Sequence, residues 1–294
     1  MTTLTSTTDV SRAQASPFAA ASLFSLEGRT AVLTGASGFL GRAMARGLLA
    51  NGARLVALGR SERLAGEAAS WRGEFGEDRV VDHRLDMDDG DELSDRLMQI
   101  AATERVDVLV NNAHDLGPAT GFNDPSGRIE SDEALAAIER NLAAGVGWAA
   151  ATCRVFGGQM RAQGRGSIVN ISTMYAKVAP DPALYEGTEF MNPVGYAPSK
   201  AGLEALTRYL ASFWGADGVR VNAIAPGPFS NTEDQTANSV DPDDPFLLRL
   251  KERTCLGRTG RSGELVGALL YLASEASSYV TGQTLVVDGG WTVR

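Results

Sequence analysis

Cysteine and histidine are both scarce in this chain of 294 residues, which has two of each. The cysteines, Cys153 and Cys255, lie far apart in the sequence and form neither a disulfide pattern nor a metal-ligand pattern. The histidines, His83 and His114, are too few for a zinc cluster. No motif suggests a site made of carboxylates alone, so we expect no metal site.

Long apolar runs and an excess of positive charge are also absent. The apolar runs fall well short of the roughly 20 residues that a bilayer-spanning helix needs. The formal net charge of −9 repels polyanions, so we expect neither nucleic acid nor an anionic membrane surface as a main partner. Residues 1–24 lack the basic and apolar regions of a signal peptide, so we expect a loose tail there and a cytoplasmic protein.

From Thr30 onward, short apolar or β-branched runs alternate with longer amphipathic stretches. Apolar strands separated by helices indicate a parallel sheet that is covered on both faces. We therefore predict one α/β domain over residues 25–294, a doubly wound Rossmann-type parallel sheet of about seven strands with helices on both faces. The predicted strands are Thr30–Thr34, Arg54–Leu58, Val80–Leu85, Val106–Val110, Ser167–Ser172, Val219–Ala225 and Thr284–Val287.

A glycine-rich segment follows the first predicted strand and leads directly into a helix. Glycines let a backbone turn sharply and approach a pyrophosphate, while the start of a helix offers free N–H groups. In this βαβ setting, the segment predicts a dinucleotide site. Its residues include Gly35, Ser37, Gly38, Phe39, Leu40 and Gly41.

The end of the second predicted strand bears on the choice between NAD and NADP. An acidic side chain at this place would bind the ribose hydroxyls of NAD, and Gly59 cannot do so. Arg60 can pair with the 2′-phosphate of NADP, and Arg63 is close enough in sequence to share that role. We expect NADP, with NAD as the alternative.

Tyr196 and Lys200 lie four positions apart at the start of a predicted helix. Positions i and i+4 share one helix face, so the two side chains point the same way. A nearby ammonium favours tyrosinate and lowers the pKa of the phenol towards the working range. The pair predicts a general acid/base, although exposed Tyr/Lys pairs are also common on helices.

The glycine segment and the Tyr196/Lys200 pair together resemble the short-chain dehydrogenase/reductase family, in its compact single-domain branch. The likeness extends from about residue 26 to residue 294. Asn111-Asn112-Ala113 resembles the NNAG element of that family, with His114 in place of the last glycine. Other matching positions are Asp86, Met87, Asn141, Pro226 and Gly227.

The resemblance implies a role for each matching residue. Tyr196 would exchange a proton with the substrate oxygen, and Lys200 would lower its pKa and hold the nicotinamide ribose. Asn141 would hold a water in the proton relay, and a hydroxyl at the end of the fifth strand would bind the carbonyl. The implied cofactor contacts are Gly35, Ser37, Gly38, Phe39, Leu40, Arg60, Asp86, Met87, Asn112, Ala113, Tyr196, Lys200, Pro226 and Gly227.

The chain departs from the family pattern in its glycine spacing and in its catalytic hydroxyl. Phe39 stands where the compact branch has a glycine, and the spacing is closer to the extended branch with its epimerases and dehydratases. The place of the catalytic serine falls on Thr173, with Ser172 one residue earlier. Because side chains alternate along a strand, only one of the two faces the cofactor, and we favour Thr173.

Two irregular segments interrupt the alternation of strands and helices. Residues 174–195 lengthen the interval between Thr173 and Tyr196 to 23 positions, as either a surface decoration or a substrate wall. Residues 226–245 are rich in proline and acid and occupy the place of the mobile substrate lid of the family. His114 is expected near the nicotinamide, either as a structural residue or as a donor to the substrate.

We expect an enzyme that interconverts a secondary alcohol and a ketone by hydride transfer with NADP or NAD. Parts of the chain are similar to sugar-acid or polyol dehydrogenases of the gluconate 5-dehydrogenase type, and a 3-oxoacyl thioester reductase is a close competitor. The alternatives are a nucleotide-sugar epimerase or dehydratase that keeps its cofactor, and a dinucleotide-sensing protein with little catalysis. The family resemblance also implies a homo-oligomer, a dimer or a homotetramer.

Overall fold

A computed structural model describes residues 16–122, 127–230 and 241–294 of the chain. Seven parallel strands form one sheet in the order β3-β2-β1-β4-β5-β6-β7. This architecture confirms the predicted Rossmann-type sheet, and the strand ends differ from the predicted ones by at most two residues. The strands are β1 Thr30–Thr34, β2 Arg54–Gly59, β3 Val80–Arg84, β4 Val108–Asn111, β5 Gly166–Ile171, β6 Val219–Pro226 and β7 Thr284–Val287.

α-Helices lie between consecutive strands along the chain. The α-helices are α1 Ala20–Leu23, α2 Phe39–Ala50, α3 Arg63–Phe75, α4 Gly90–Thr103, α5 Ala134–Leu142, α6 Trp148–Thr152, α7 Gly158–Gln163, α8 Tyr196–Trp214, α9 Pro245–Arg253 and α10 Val266–Ala273. Two π-helical turns, Ala143–Gly147 and Cys153–Gly157, join α5, α6 and α7 into one helical stretch. Within the described residues, no helix combines the length and the apolar character that crossing a membrane requires.

The segment predicted as a tail is described only in part. Residues 1–15 lie outside the described residues, and the short helix α1 falls within residues 16–24. Directly after it, Leu26 is buried and its N–H donates to the carbonyl of Asn51 at 2.7 Å. Phe24, the last residue of the predicted tail, already packs against the apolar core, so the chain contacts the domain from Phe24 onward.

Apolar side chains enclose the sheet from both faces. One cluster, which includes Leu48 and Trp71, packs α2, α3 and α10 on one face. The other, which includes Leu97 and Phe156, packs α4, the α5–α7 stretch and α8 on the opposite face. Full burial of each such side chain contributes about 1.5–3 kcal/mol. Because helices cover both faces of the sheet, a ligand can reach it only at its edges, and in folds of this kind it binds at the carboxyl ends of the strands.

Candidate active site

A cavity of about 400 Å³ opens at the carboxyl ends of the strands, around the point where the strand order reverses between β1 and β4. Asn141 is not among its lining residues. All the other predicted site residues line this cavity, and their individual roles stay predictions. They are Gly35, Ser37, Gly38, Phe39, Leu40, Arg60, Asp86, Met87, Asn112, Ala113, Thr173, Tyr196, Lys200, Pro226 and Gly227.

The glycine segment brings the backbone of β1 close to the start of α2. Gly35 has a φ of +65°, and a Cβ on Gly41 would lie 2.2 Å from the carbonyl oxygen of Gly35. Within the part of the chain that the structure describes, no side chain caps α2 at Gly38. A helix N-terminus of this kind favours an anion. The segment therefore fits the pyrophosphate of a dinucleotide.

Hydrogen bonds join the ends of β1 and β4 beneath this segment. The hydroxyl of Thr34 accepts from the N–H groups of Asn112 and Ala113, both at 3.0 Å. The Asn112 amide in turn donates to the carbonyls of Thr34 and Gly35, both at 3.1 Å. Asn112 and Ala113 thus hold the start of the glycine segment in place. The NNAG-like element therefore has a structural function in addition to its predicted cofactor contacts.

Arg60 lies on the wall of the cavity that is formed by the ends of β2 and β3. Its side chain is about half exposed, and Nη2 donates to Oδ1 of Asp115 at 3.3 Å. Gly59 brings no acidic group to this wall, and Ser37 Oγ lies 3.7 Å from where a Cβ on Gly59 would be. Arg63 is exposed and does not line the cavity. The wall therefore offers a guanidinium and a hydroxyl to an anionic group.

Thr173 and Ser172 face different neighbours at the end of β5. The Ser172 hydroxyl donates to a carboxylate oxygen of Glu204 at 3.0 Å, beneath helix α8. The Thr173 side chain instead interacts with the Tyr196 phenol, and its hydroxyl accepts from the N–H of Tyr175 at 3.4 Å. This arrangement supports Thr173 as the active hydroxyl, because Ser172 is already bound to Glu204.

Tyr196 and Lys200 lie at the start of α8, as the spacing predicts. Burial raises the pKa of Tyr196, and the hydrogen bond with Thr173 offsets part of that rise. Burial lowers the pKa of Lys200 to about 8, and its ammonium donates to the carbonyl of Ile171 at 2.8 Å. The pKa of Tyr196 is thus raised rather than lowered as expected, and Lys200 is not among the groups that shift it in this structure.

Asn141 is fully buried at the end of α5, directly before the first π-helical turn. Its amide donates to the carbonyls of Thr120 and Ala137, both at 2.8 Å. Its Oδ1 has no hydrogen-bond partner within the described residues, and neither ring nitrogen of neighbouring His114 has one there. Asn141 therefore lies behind the cavity wall, while His114 lines the cavity, and the water-holding role of Asn141 stays a prediction.

The inserted segment 174–195 packs next to the acid/base pair. The hydroxyls of Tyr175 and Tyr185 lie 3.4 Å apart. Burial raises the pKa of Tyr175, and the nearby Tyr185 and Tyr196 raise it further. The Tyr185 ring packs against Phe246 of α9, with centroids 5.5 Å apart. This aromatic cluster packs the segment against the start of α8, but none of its residues lines the cavity, so its role as a substrate wall stays a prediction. Residues 231–240 of the predicted lid lie outside the described residues.

Sequence reasoning missed an ionic network beside the cavity. Arg140, one residue before Asn141, binds Asp88 with two contacts of 2.5 Å and Asp115 with contacts of 2.7 and 3.0 Å. Trp148 donates to Asp88 at 3.1 Å. These residues are far apart in sequence and belong to no motif. The one available signal was their position in the sequence, next to Met87, His114 and Asn141.

The comparisons with known proteins agree with this geometry. A family model described as enoyl-(acyl carrier protein) reductase matches residues 35–292. Galactitol 2-dehydrogenase (L-tagatose-forming) of Cereibacter sphaeroides is 34% identical, covering 92% of this chain and 98% of the relative. Gluconate 5-dehydrogenase of Gluconobacter oxydans is 35% identical, covering 92% and 97%.

A solved structure extends the comparison to the fold. Gluconate 5-dehydrogenase from Burkholderia cenocepacia, in complex with NADP and tartrate, superposes with a TM-score of 0.77 at 30% identity, covering 94% of this chain and all of that chain. The chain belongs to the short-chain dehydrogenase/reductase family. It is an NAD(P)-dependent oxidoreductase that acts on CH–OH groups.

Proposed function

We propose that this chain is an NADP-dependent dehydrogenase that interconverts a secondary alcohol of a polyol or a sugar acid with the corresponding ketone. The proposal is carried by one observation: Thr173, Tyr196 and Lys200 line the same cavity as the glycine segment. The names of the relatives, which act on galactitol and gluconate, support this substrate class. Their agreement with the geometry favours a dehydrogenase over a nucleotide-sugar epimerase or a sensor.

NADP is the preferred cofactor in this proposal. Arg60 offers a guanidinium to the 2′-phosphate, and no acidic side chain of β2 takes the place of a ribose-binding carboxylate. The related structure from Burkholderia cenocepacia contains NADP. NAD remains the alternative cofactor.

The protein groups handle the proton and the orientation of the substrate. The bound nicotinamide cofactor supplies or accepts the hydride. Thr173 donates a hydrogen bond to the substrate oxygen and holds it beside the Tyr196 phenol. Tyr196 gives its proton to that oxygen in the reduction and takes it back in the oxidation. Lys200, whose pKa burial lowers to about 8, lies one helical turn away on the same helix face and would hold the nicotinamide ribose.

The test is nicotinamide absorbance with NADP and NAD over matched polyols and sugar acids, such as galactitol and galactonate or threitol and threonate. Tyr196→Phe removes the acid/base and keeps the ring, so we expect it to lower kcat by about 10²- to 10⁴-fold. Fluorescence titration with NADPH should show retained cofactor binding in the same variant. Turnover by Tyr196→Phe at the wild-type rate would refute the mechanism, and no turnover of any alcohol by the wild type would refute the function.

We further propose that the protein is a homo-oligomer, a dimer or a tetramer. Tyr209 and Phe213 stack on α8 with centroids 4.4 Å apart and are 57% and 62% exposed, and Leu135 on α5 is 74% exposed. Exposed apolar groups of this kind mark contact surfaces when they are contiguous. Light scattering on the wild type and on Phe213→Glu tests this, since an unchanged mass would contradict an interface at α8. The cytoplasmic location expected from the sequence stays a prediction.

A further inference from the structure

Arg60 already has an acidic partner in this structure. Its Nη2 lies 3.3 Å from Oδ1 of Asp115, and the side chains are 54% and 6% exposed respectively. Within the described ranges, Asp115 is the only partner of the Arg60 side chain. The group that the proposed function assigns to the 2′-phosphate is therefore paired with a carboxylate in this structure.

Asp115 is bound more firmly by other donors than by Arg60. Arg140 donates to Oδ2 from Nε at 3.0 Å and from Nη2 at 2.7 Å, and the N–H of Gly117 donates to Oδ1 at 2.9 Å. Burial alone would raise the pKa of Asp115, but the hydrogen bonds from Arg140 and Gly117 outweigh it and the pKa is lowered. Asp115 therefore stays ionised and keeps three hydrogen bonds when Arg60 leaves.

Arg140 is not free to replace Arg60 at a phosphate. Both of its terminal nitrogens bind Asp88 at 2.5 Å, and its guanidinium lies over the Trp148 ring, 5.3 Å from the centroid. The Trp148 indole also donates to Asp88 at 3.1 Å. Of the two arginines on Asp115, Arg60 is held by one long contact and Arg140 by a network, so only Arg60 can exchange partners at low cost.

We propose that Asp115 competes with the 2′-phosphate of NADP for Arg60 and thereby limits how strongly the protein prefers NADP over NAD. This inference rests on the assignment of Arg60 in the proposed function. With NADP, the guanidinium turns from the carboxylate to the phosphate. With NAD, it stays on Asp115, so the missing phosphate leaves no unpaired charge. Arg60 is about half exposed and is held by one long contact, so its pair with the buried Asp115 contributes little free energy and either cofactor can bind.

Asp115→Asn tests the competition directly. The amide oxygen keeps one side of the present network, either the bonds from Arg140 or the bond from Gly117, while the negative charge is removed. We expect the Kd for NADPH to fall about 2- to 5-fold while the Kd for NADH changes little, a range that matches exposed ion pairs. Fluorescence titrations without substrate, at low ionic strength, measure both constants independently of turnover. The difference should shrink at high salt, because salt screens exposed charges.

Asp88→Asn is the matched control. It removes the same charge from the same Arg140 network, but Asp88 does not touch Arg60. We expect an unchanged ratio of the NADPH and NADH dissociation constants. An equal shift in both variants would overturn the proposal, because it would indicate a general charge effect. In an Arg60→Ala background, Asp115→Asn should no longer change the ratio.

Two further outcomes separate this inference from the proposed function. If Arg60→Ala binds NADPH as tightly as the wild type, the assignment of Arg60 to the 2′-phosphate is wrong. If Arg60→Ala weakens NADPH binding and Asp115→Asn leaves the ratio unchanged or lowers the NADPH preference, only the competition is wrong. Crystal structures of the wild-type protein with NADP and with NAD test the competition without any substitution. Arg60 should leave Asp115 with NADP and stay on it with NAD, and Arg60 still on Asp115 in the NADP complex would overturn the proposal.

Discussion

The imidazole of His114 packs edge-on against the phenol ring of Tyr196, with ring centroids 5.1 Å apart. Phe122 makes the same kind of contact with Tyr196, also at 5.1 Å. Edge-to-face pairs at this distance are favourable arrangements of aromatic rings. Two neighbours from the β4–α5 connection thus hold the proposed acid/base, and one of them is the histidine that stands in place of a family glycine.

His114 links this contact to the acid stability of the fold. Burial, with the nearby Lys200 ammonium, lowers its pKa from 6.5 to about 3. Between these values the unfolded chain binds more protons than the folded one, so stability falls as pH falls from 6.5 towards 3. We expect His114→Asn to lose less stability than the wild type between about pH 7 and about pH 5 in urea unfolding. His83→Asn is the control, and a larger effect there would contradict the assignment.

Thr173 and Ser172 should respond differently to the loss of their hydroxyls. Thr173→Ala removes the proposed hydrogen bond to the substrate oxygen, so we expect kcat to fall by about 10²- to 10³-fold, the cost of losing one transition-state donor. Thr173→Ser should recover most of that loss. Ser172→Ala should keep kcat and lower the free energy of unfolding by about 1.5–3 kcal/mol, because it removes a hydrogen bond to the buried Glu204 carboxylate. The reverse pattern would make Ser172 the active hydroxyl.

Gly41 and Gly73 are both helical glycines in very different surroundings. A Cβ on Gly41 would lie 2.2 Å from the Gly35 carbonyl oxygen, whereas a Cβ on Gly73 would meet nothing within 4 Å. We expect Gly41→Ala to displace the glycine segment and weaken NADPH binding about tenfold or more, equivalent to about 1.4 kcal/mol. Gly73→Ala should instead stabilise α3 by about 0.5–1 kcal/mol. Normal NADPH affinity in Gly41→Ala would argue against the pyrophosphate site.

Lys177 forms an ion pair with Glu204, whose carboxylate is almost completely buried. Lys177→Met leaves that charge without its counter-ion. Because the Lys177 side chain is 33% exposed, we expect a loss of about 2 kcal/mol, below the 3–5 kcal/mol typical of a fully buried pair. Arg46→Met, in the exposed pair with Glu74, should cost less than about 1 kcal/mol. Equal losses in the two variants, measured by denaturant unfolding, would contradict the burial argument.

The parts of the molecule that depend on local sequence were predictable. β-branched runs give the strands, because strands buried on both faces need apolar residues throughout. The Tyr196/Lys200 pair follows from helical spacing, and the glycine segment from its position between β1 and α2. These features need no knowledge of the tertiary contacts.

The remaining features depend on packing between distant segments. The choice between Ser172 and Thr173 depends on where Glu204 of α8 lies relative to β5. The pKa of Tyr196 depends on burial, which the spacing to Lys200 does not reveal. Asp115 gains its importance from Arg60 and Arg140, which come from other parts of the chain. Contacts between side chains that are far apart in the sequence leave no pattern in the local sequence from which they could be predicted.

The strand order has a consequence for how the protein reaches its working state during synthesis. β1 pairs with β4, and the cavity needs Pro226 and Gly227 at the end of β6 as well as Gly35 after β1. Sheets assembled from such distant partners form slowly, because long loops must close before their contacts stabilise anything. A nascent chain that ends before β6 therefore lacks part of the dinucleotide pocket. We expect the cofactor to stabilise only the nearly completed polypeptide, not an early folding unit on the ribosome.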